Sequence, residues 1–364
     1  MKKSILFFAG LFLSIIAFSQ GSFFTVSGKV IDAGTKAPMQ SASVFAQNTT
    51  IGTPTDEQGN FSLQLPAGGY DLIVTFTDYT TEIKRVSSSD TSNRNIIIEI
   101  TKKSKAMEEV AVVASNEVKD GWERYGFFFT DNFIGKTLFS SDCHLLNRDA
   151  LKFYFNKKRN RLKVRASEPL EIRNDALGYK IKYTLDSFTY DYGTQTTLYT
   201  GYPLFEEMQP QSDIQQQQWK INRVQAYNGS TLHFMRSVYN KTLKEESFEI
   251  QFIIDNGDGT DTAIKIKNFY AALNYKKDDS TQTVSIKPNQ SNMAVIYGNE
   301  QPEKNYLAED ETAPKKYQLS IVTLTQPITI EQNGYFYDQN DITTTGYWTW
   351  EKVGDMVPYD FNPN

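Results

Sequence analysis

The chain has 364 residues, with 38 Lys and Arg against 43 Asp and Glu, two His and one Cys. A net charge of −5 argues against a basic nucleic-acid-binding protein, and one Cys excludes an internal disulfide and a multi-Cys metal site. Because 39% of the residues are hydrophobic and 13% are aromatic, the composition predicts substantial cores and argues against global disorder.

The first 19 residues have the pattern of a secretory signal peptide. Lys2 and Lys3 precede an apolar run over residues 5–16, and Ala17-Phe18-Ser19 is a small-x-small cleavage site. We expect cleavage before Gln20, which would remove two lysines and shift the net charge from −5 to −7. A membrane anchor is the alternative, but the run is short for a bilayer. The pattern predicts export to the periplasm or cell surface, with outer-membrane association as one option and no transmembrane segment in the mature chain.

Residues 20–101 consist of short β-prone segments separated by turn signals. Apolar and polar residues alternate over residues 24–31 and 61–65, and Gly-containing turns follow at residues 55–60 and 66–69. With the remaining segments, this spacing predicts about seven strands in an antiparallel β-sandwich.

Four motifs in this stretch occur in a fixed order. They are Gly28-Lys-Val-Ile-Asp32, Ala37-Pro-Met39, Thr55-Asp-Glu-Gln-Gly-Asn-Phe61 and Leu65-Pro-Ala-Gly-Gly-Tyr70. On these motifs, residues 24–101 resemble the carboxypeptidase regulatory-like domain of exported Bacteroidetes proteins, a transthyretin-like sandwich. The resemblance implies an accessory module that contributes no catalytic residue.

Residues 102–121 are predicted to be a linker. A charge run at residues 101–105 precedes an acidic and apolar segment at residues 107–114. That segment resembles the stretch that follows the same sandwich in TonB-dependent receptors. The alternative is a short strand that closes the sandwich or pairs with the next domain.

Residues 122–364 are predicted to be an α+β domain of unknown function, rich in antiparallel sheet. Apolar residues at helical spacing over residues 214–239 predict one long helix, or a helical hairpin because Gly229 is a weak point. Residues 122–133 predict a short helix, and residues 300–316 predict a polar loop. The segments predicted as strands are residues 151–155, 161–165, 170–173, 179–188, 194–202, 248–254, 263–269, 284–286, 294–297, 317–324 and 328–330.

No motif for catalysis or metal binding is present. His144 and His233 lack the His-Glu-x-x-His spacing of a zinc site. Cys143 precedes His144 directly, and neighbours in a strand point to opposite faces, so no dyad is expected. Residues 255–261 resemble a calcium loop, but glycines occupy two ligand positions, so a hairpin turn is predicted. We therefore predict no catalytic residue, no metal ligand and no cofactor.

Five residues are candidates for binding. Tyr227, His233 and Arg236 lie on or near the helical segment, where positions three apart share a face. The alternative is a packed helix in which Arg236 pairs with an acid. Trp348 and Trp350 would share one face of a strand as an aromatic platform, or cover the edge of a core.

These patterns favour a non-enzymatic exported envelope protein. The sandwich would be an interaction or spacer module, and the second domain would bind a partner or ligand, such as an envelope protein or glycan. No nucleic-acid partner is expected, and the oligomeric state stays open. The alternative function is a hydrolase of envelope glycans or peptides whose active site no motif shows.

Overall fold

The computed structural model of the chain describes residues 22–103, 116–337 and 341–363. The predicted signal peptide at residues 1–19 and the segment at residues 107–114 lie outside the described residues, as does most of the predicted linker. Within the described part the fold is mainly β with antiparallel sheets and few helices, which confirms the predicted fold class. No helix there combines the length and the apolar character needed to cross a membrane.

The first seven strands form the predicted sandwich. One sheet has the order β4-β1-β7 and the other β3-β2-β5-β6. Phe61, Leu63 and Leu65 alternate with exposed residues and are buried, because a strand turns every second side chain to the same face. The pair β1 and β7 runs parallel, which departs from the purely antiparallel prediction. The strands are β1 (Phe23–Asp32), β2 (Ser43–Ala46), β3 (Gly52–Pro54), β4 (Asn60–Pro66), β5 (Gly69–Thr75), β6 (Glu82–Ser87) and β7 (Ile96–Ile100).

A helix and a six-stranded antiparallel sheet follow. The sheet has the order β8-β11-β12-β10-β9, and β13 also pairs with β12. The helix α1 places Phe129 against Phe188 and Phe133 against Tyr183, with ring centroids 4.9 Å apart in both pairs. The core of this sheet is therefore largely aromatic. The elements are α1 (Gly121–Phe133), β8 (Cys143–Leu145), β9 (Leu151–Asn156), β10 (Arg161–Ala166), β11 (Leu170–Asn174), β12 (Tyr179–Asp191) and β13 (Thr196–Glu207).

The remaining elements build another core. A sheet of order β15-β14-β18-β19-β21 and a small sheet of order β16-β17-β20 enclose apolar residues together with α3. The predicted domain over residues 122–364 thus contains two large hydrophobic cores, and its boundaries stay a prediction. The elements are α2 (Asp213–Tyr227), α3 (Thr231–Asn240), β14 (Phe248–Asp255), β15 (Asp261–Lys265), α4 (Phe269–Ala272), β16 (Lys276–Asp278), β17 (Thr283–Ile286), β18 (Asn292–Tyr297), α5 (Lys304–Glu309), β19 (Gln318–Leu324), β20 (Ile328–Ile330), β21 (Ile342–Gly346) and α6 (Tyr347–Trp350).

Over residues 214–239 the prediction of one long helix is wrong, and its alternative, a break into two helices at Gly229, is confirmed. Two helices replace it, because Gly229 between them adopts a φ of +74° that a helix cannot contain. Ser230 then caps α3, since its Oγ accepts a hydrogen bond from the backbone N–H of His233. The predicted loop over residues 300–316 is also wrong in part, because it contains α5.

Residues 351–363, the C-terminal segment, touch all three parts of the molecule. Val353 and Val357 are buried in the core of the six-stranded sheet, and Tyr359 packs against the core of the sandwich. Arg236 on α3 donates hydrogen bonds to backbone oxygens of the same segment. The segment therefore ties the sandwich to both other cores.

Candidate functional site

Four of the five predicted binding residues meet at the turn between α2 and α3. Tyr227 ends α2, and His233 and Arg236 lie on the first two turns of α3. Trp348 reaches this turn from α6 and donates its indole N–H to the backbone oxygen of Gly229 at 2.7 Å. The structure thus brings together residues that the sequence placed in two separate groups, and whether they bind a ligand stays a prediction.

The two tryptophans lie on a helical turn, so the predicted shared strand face is wrong. The strand β21 ends at Gly346, where a φ of +79° redirects the chain into α6. Trp348 packs on Phe234 of α3, with ring centroids 5.4 Å apart. Trp350 instead donates its indole N–H to Glu303 Oε2 at 3.2 Å. The pair therefore forms no common platform.

His233 is a buried structural residue. It is 3% exposed, and its ring lies 4.7 Å from the ring of Tyr227 and 4.9 Å from that of Phe248. The N–H of Gly229 donates to Nδ1 at 3.1 Å, so the proton is on Nε2, which faces Glu246 at 3.2 Å. Burial lowers the pKa of His233 despite the neighbouring carboxylate. The ring is therefore neutral at pH 7 and closed to a ligand.

The Arg236 guanidinium donates hydrogen bonds to three backbone carbonyl oxygens. Its Nε donates to the carbonyl of Asn333 at 3.0 Å, and its two Nη atoms donate to the carbonyls of Phe361 and Tyr359 at 2.9 and 2.8 Å. The alternative in which Arg236 pairs with an acid is wrong, because three carbonyls occupy its donors. A planar guanidinium suits this task, since it presents several N–H groups in a fixed geometry.

A pocket of about 190 Å³ opens beside this turn, and we name it the junction pocket. Its walls come from the sandwich, from α3, from α6 and from the C-terminal segment, so no single core forms it. The volume is below the range of about 300–1,000 Å³ for drug-sized ligands and suits one small group. The residues that line the pocket include Asn48, Leu232, Trp348, Glu351, Asp355 and Tyr359.

Two carboxyl groups that line the junction pocket have a raised pKa. Burial raises the pKa of Asp355 to about 7, although the backbone N–H of Lys352 donates to its Oδ2. Burial also raises the pKa of Glu351, and the nearby charges of Asp355, Glu300 and Glu303 add to the shift. Within the described part of the chain, the Glu351 carboxylate has no hydrogen bond or ion pair.

Glu300 forms a related buried acid just outside the junction pocket. Asn228 and Gln318 donate to its two oxygens at 3.5 and 3.3 Å, yet burial outweighs both bonds and raises the pKa of Glu300 to about 7. It lies beside the helix-breaking turn, in a stretch that the sequence predicted as loop. No sequence signal identified Glu300, Glu351 or Asp355, because each gains its environment from residues distant along the chain.

The other motifs raised by the sequence form no site. Cys143 Sγ donates to the carbonyl of Phe139 at 3.4 Å, and burial raises the pKa of its thiol, whereas the exposed His144 faces Asp175 at 3.4 Å. Residues 255–261 form the predicted hairpin turn between β14 and β15. Over the described ranges, no group of three or more His, Cys, Asp or Glu is arranged to hold a metal ion.

Comparison with known proteins bears on the sandwich. A family model described as CarboxypepD_reg-like domain matches residues 26–112. The described part of this match, residues 26–103, contains the sandwich, which is therefore a CarboxypepD_reg-like domain. The TonB-dependent receptor SusC of Bacteroides thetaiotaomicron is 35% identical over 118 residues, which cover 32% of this chain and 11% of the receptor. The chain thus spans about a tenth of the length of the curated relative it matches. Both findings confirm the predicted resemblance and are consistent with a Bacteroidetes-type protein.

The CarboxypepD_reg-like domain is bonded directly to the part that follows it. Asn333 Nδ2 donates to the backbone oxygen of Gly69 at 2.9 Å, and the Tyr335 hydroxyl donates to Asp71 Oδ2 at 2.9 Å. The first bond is fully buried. Because Gly69 belongs to the Leu65–Tyr70 motif that carries the family resemblance, a turn typical of the domain also serves as a docking point here.

A second contact brings the CarboxypepD_reg-like domain to the junction pocket. The backbone N–H of Asn48 donates to the Pro203 carbonyl at 2.8 Å, and the Asn48 carbonyl accepts from the Tyr359 N–H at 2.7 Å. The N–H of Thr50 donates to Asp360 Oδ1 at 3.0 Å. Asn48 Oδ1 is buried and has no hydrogen-bond partner among the described residues. The domain thus contributes one wall of the pocket and leaves an acceptor unsatisfied there.

A second cavity, of about 450 Å³, is larger, but its central cation is already engaged. Arg223 donates to the carbonyls of Leu177 and Gly178 at 2.7 and 3.1 Å and to Glu207 at 2.9 Å. Its guanidinium also lies 3.9 Å from the ring centroid of Tyr179. The arginine therefore fixes the start of β12, and the junction pocket is the better candidate for a ligand.

Proposed function

We propose that the protein is an envelope-associated binding protein without catalytic activity. In this proposal the CarboxypepD_reg-like domain is an interaction module packed on the rest of the chain. The junction pocket receives one small group of an envelope glycan or protein. Envelope association is supported by the domain itself and by the match to an outer-membrane receptor, together with the signal-peptide pattern at residues 1–19.

One observation carries the proposal, namely that the junction pocket exists only where the sandwich meets the other cores. Asn48 and Glu351 line it from parts of the chain about 300 residues apart, and the buried Oδ1 of Asn48 has no hydrogen-bond partner in the described part. Buried polar groups are normally satisfied, so this acceptor in the wall of the pocket supports a ligand that carries a hydrogen-bond donor. Trp348 adds an aromatic wall, which suits a sugar ring or an apolar side chain.

The proposal is tested by titrating the purified protein with soluble envelope glycan fragments and short peptides in a calorimeter. We expect one class to bind, and Glu351→Gln to weaken that binding severalfold, because the amide replaces the carboxyl O–H and a neutral hydrogen bond contributes about 0.5–1.5 kcal/mol. The matched control is Glu57→Gln, an exposed acid of the sandwich. Equal weakening by both variants, or no binding by either class, contradicts the proposal.

One observation favours the alternative function, hydrolysis of envelope glycans or peptides. Glu351 and Asp355 are two carboxyl groups in one pocket, and both have a raised pKa, as a proton donor requires. A turnover assay on the ligand class that binds separates the two functions. Product release that Glu351→Gln abolishes would establish the hydrolase, whereas binding without product supports the binding protein.

A further inference from the structure

The hairpin formed by β9 and β10 has a charge opposite to that of the chain. Residues 151–166, the basic hairpin, contain seven Lys and Arg and no Asp or Glu, although the whole chain has a net charge of −5. Such a run of positive charge without an acidic residue is unusual on the surface of an acidic protein. The seven are Lys152, Lys157, Lys158, Arg159, Arg161, Lys163 and Arg165.

The strand register places the charges of both strands on one face. Phe153, Leu162 and Val164 are buried in the aromatic core, so their neighbours in sequence point outward. Arg165 lies directly opposite Lys152 across the two strands. Residues that face each other in this way share a face of the sheet, so the two side chains are neighbours despite their like charge.

The outward face continues across the next two strands. Lys163 is paired with Tyr154 on one side and with Thr189 on the other, and Thr189 is paired with Leu198. These four residues form a row across the sheet, which ends at a leucine that is 65% exposed.

Most of these cations lack a partner. Arg161 pairs with Asp191 at 2.6 Å, and none of the other six forms an ion pair with a residue that the structure describes. Burial and the charge of Arg165 lower the pKa of Lys163 and outweigh the opposing charge of Asp186. Farther along the same face, Lys180 faces Glu206 at 3.6 Å, so the excess of positive charge is confined to the basic hairpin.

We propose that the basic hairpin docks the protein on a phosphate-bearing lipid surface. The sheet holds the cations in one plane, so they reach a flat anionic surface together, and the turn at residues 157–160 projects beyond them. Arginine and lysine both bind phosphate oxygens, and Leu198 enters the headgroup layer beside them. The inference goes beyond the proposed function and involves a different surface.

Sedimentation with lipid vesicles tests the proposal. We expect the protein to bind vesicles of phosphatidylglycerol and phosphatidylcholine in equal parts, to bind phosphatidylcholine alone far more weakly, and to be released by high salt. Each basic residue at an anionic surface contributes a factor of about five to affinity, so replacing three should weaken binding about a hundredfold. The face variant is Lys152→Gln with Lys163→Gln and Arg165→Gln.

Two further variants keep the test decisive. A turn variant changes residues that make no core contact, so it still reports if the face variant misfolds, and we expect a loss of similar size. A control changes the net charge equally at exposed lysines elsewhere and should bind like the unmodified protein. The turn variant is Lys157→Gln with Lys158→Gln and Arg159→Gln, and the control is Lys84→Gln with Lys287→Gln and Lys316→Gln.

Three results would overturn the inference. The first is failure of the unmodified protein to bind the anionic vesicles at low salt. The second is equal weakening by the control and the turn variant, which would show that only net charge matters. The third is binding to a soluble acidic polysaccharide such as alginate in the absence of vesicle binding, which would assign the basic hairpin to another class of partner.

Discussion

The junction pocket and the basic hairpin both concentrate charge, and they do so in opposite ways. At the junction, acids such as Glu351 and Asp355 are withdrawn from water, and burial raises the pKa of each. On the hairpin, cations such as Lys152 and Lys157 stay in water. A buried acid is coupled to the stability of the fold that surrounds it. An exposed cation has little effect on stability and is available to a partner.

This difference predicts that substitutions around the junction change stability and that substitutions on the hairpin do not. The turn between α2 and α3 is the most sensitive place, because it joins two cores and carries the residues that hold the C-terminal segment. The following predictions test that contrast in order of decreasing effect.

Arg236→Met should have the largest effect, with a loss of at least about 3 kcal/mol in the free energy of unfolding. The change leaves three backbone carbonyls without their donor and releases the C-terminal segment. Urea unfolding measures the loss. Arg236→Lys should recover only part of it, since an ammonium cannot reach all three oxygens. Full recovery with lysine would show that charge alone matters at this position.

Gly229→Ala should destabilise the protein by about 2–4 kcal/mol. A Cβ at this position would lie 2.4 Å from Gln318 Oε1 and 2.7 Å from a ring carbon of Tyr297, and the φ of +74° is itself unfavourable for alanine. Gly257→Ala is the matched control, because Gly257 has a φ of +76° with nothing within 4 Å of the added atom. The control should lose about 1 kcal/mol. Equal losses would refute a role for close packing at the turn.

Glu300→Gln should change how stability depends on pH. The pKa of Glu300 in the folded protein is about 7, above its ordinary value, so the folded state holds the proton more tightly than the unfolded state. Its contribution is complete at low pH and is lost as the pH rises through 7. The variant should therefore be more stable than the unmodified protein near pH 8, by about 1 kcal/mol. Identical curves from pH 5 to pH 8 would contradict this.

The turn variant of the basic hairpin should show the smallest effect on stability. Lys157, Lys158 and Arg159 are exposed and make no ion pair among the described residues, so their replacement should leave the unfolding midpoint within about 1 °C. Thermal unfolding followed by circular dichroism measures this. A marked loss of stability would mean that the hairpin takes part in the fold, and the contrast with the junction would fail.

The sequence predicted the sandwich well because its strands alternate with a period of two and its turns carry glycine at fixed places. It also grouped Tyr227, His233 and Arg236 on one helical segment and assigned them to binding, whereas the structure buries His233 in packing. The approach of Trp348 to these residues was not predicted. The helix break was signalled by Gly229, but helical spacing on both sides hid it.

The junction pocket could not be predicted in the same way. Asn48, Glu351 and Asp355 come from opposite ends of the described chain, and local patterns hold no information on contacts between such distant positions. The raised pKa values of the two acids arise mainly from burial, which depends on tertiary packing and cannot be read from the adjacent residues in the sequence. By contrast, the excess of Lys and Arg over residues 151–166 can be counted in the sequence alone. The structure adds that side chains of both strands lie on one face of the sheet.

The C-terminal segment has a consequence for how the protein is made. Val353, Val357 and Tyr359 complete cores whose other members are synthesised much earlier. Domains usually fold one after another as the ribosome releases them. Here the sandwich and the six-stranded sheet must wait, with part of their apolar surface uncovered, until residues 351–361 arrive. The chain is therefore kept incompletely folded until its C-terminal segment has been synthesised.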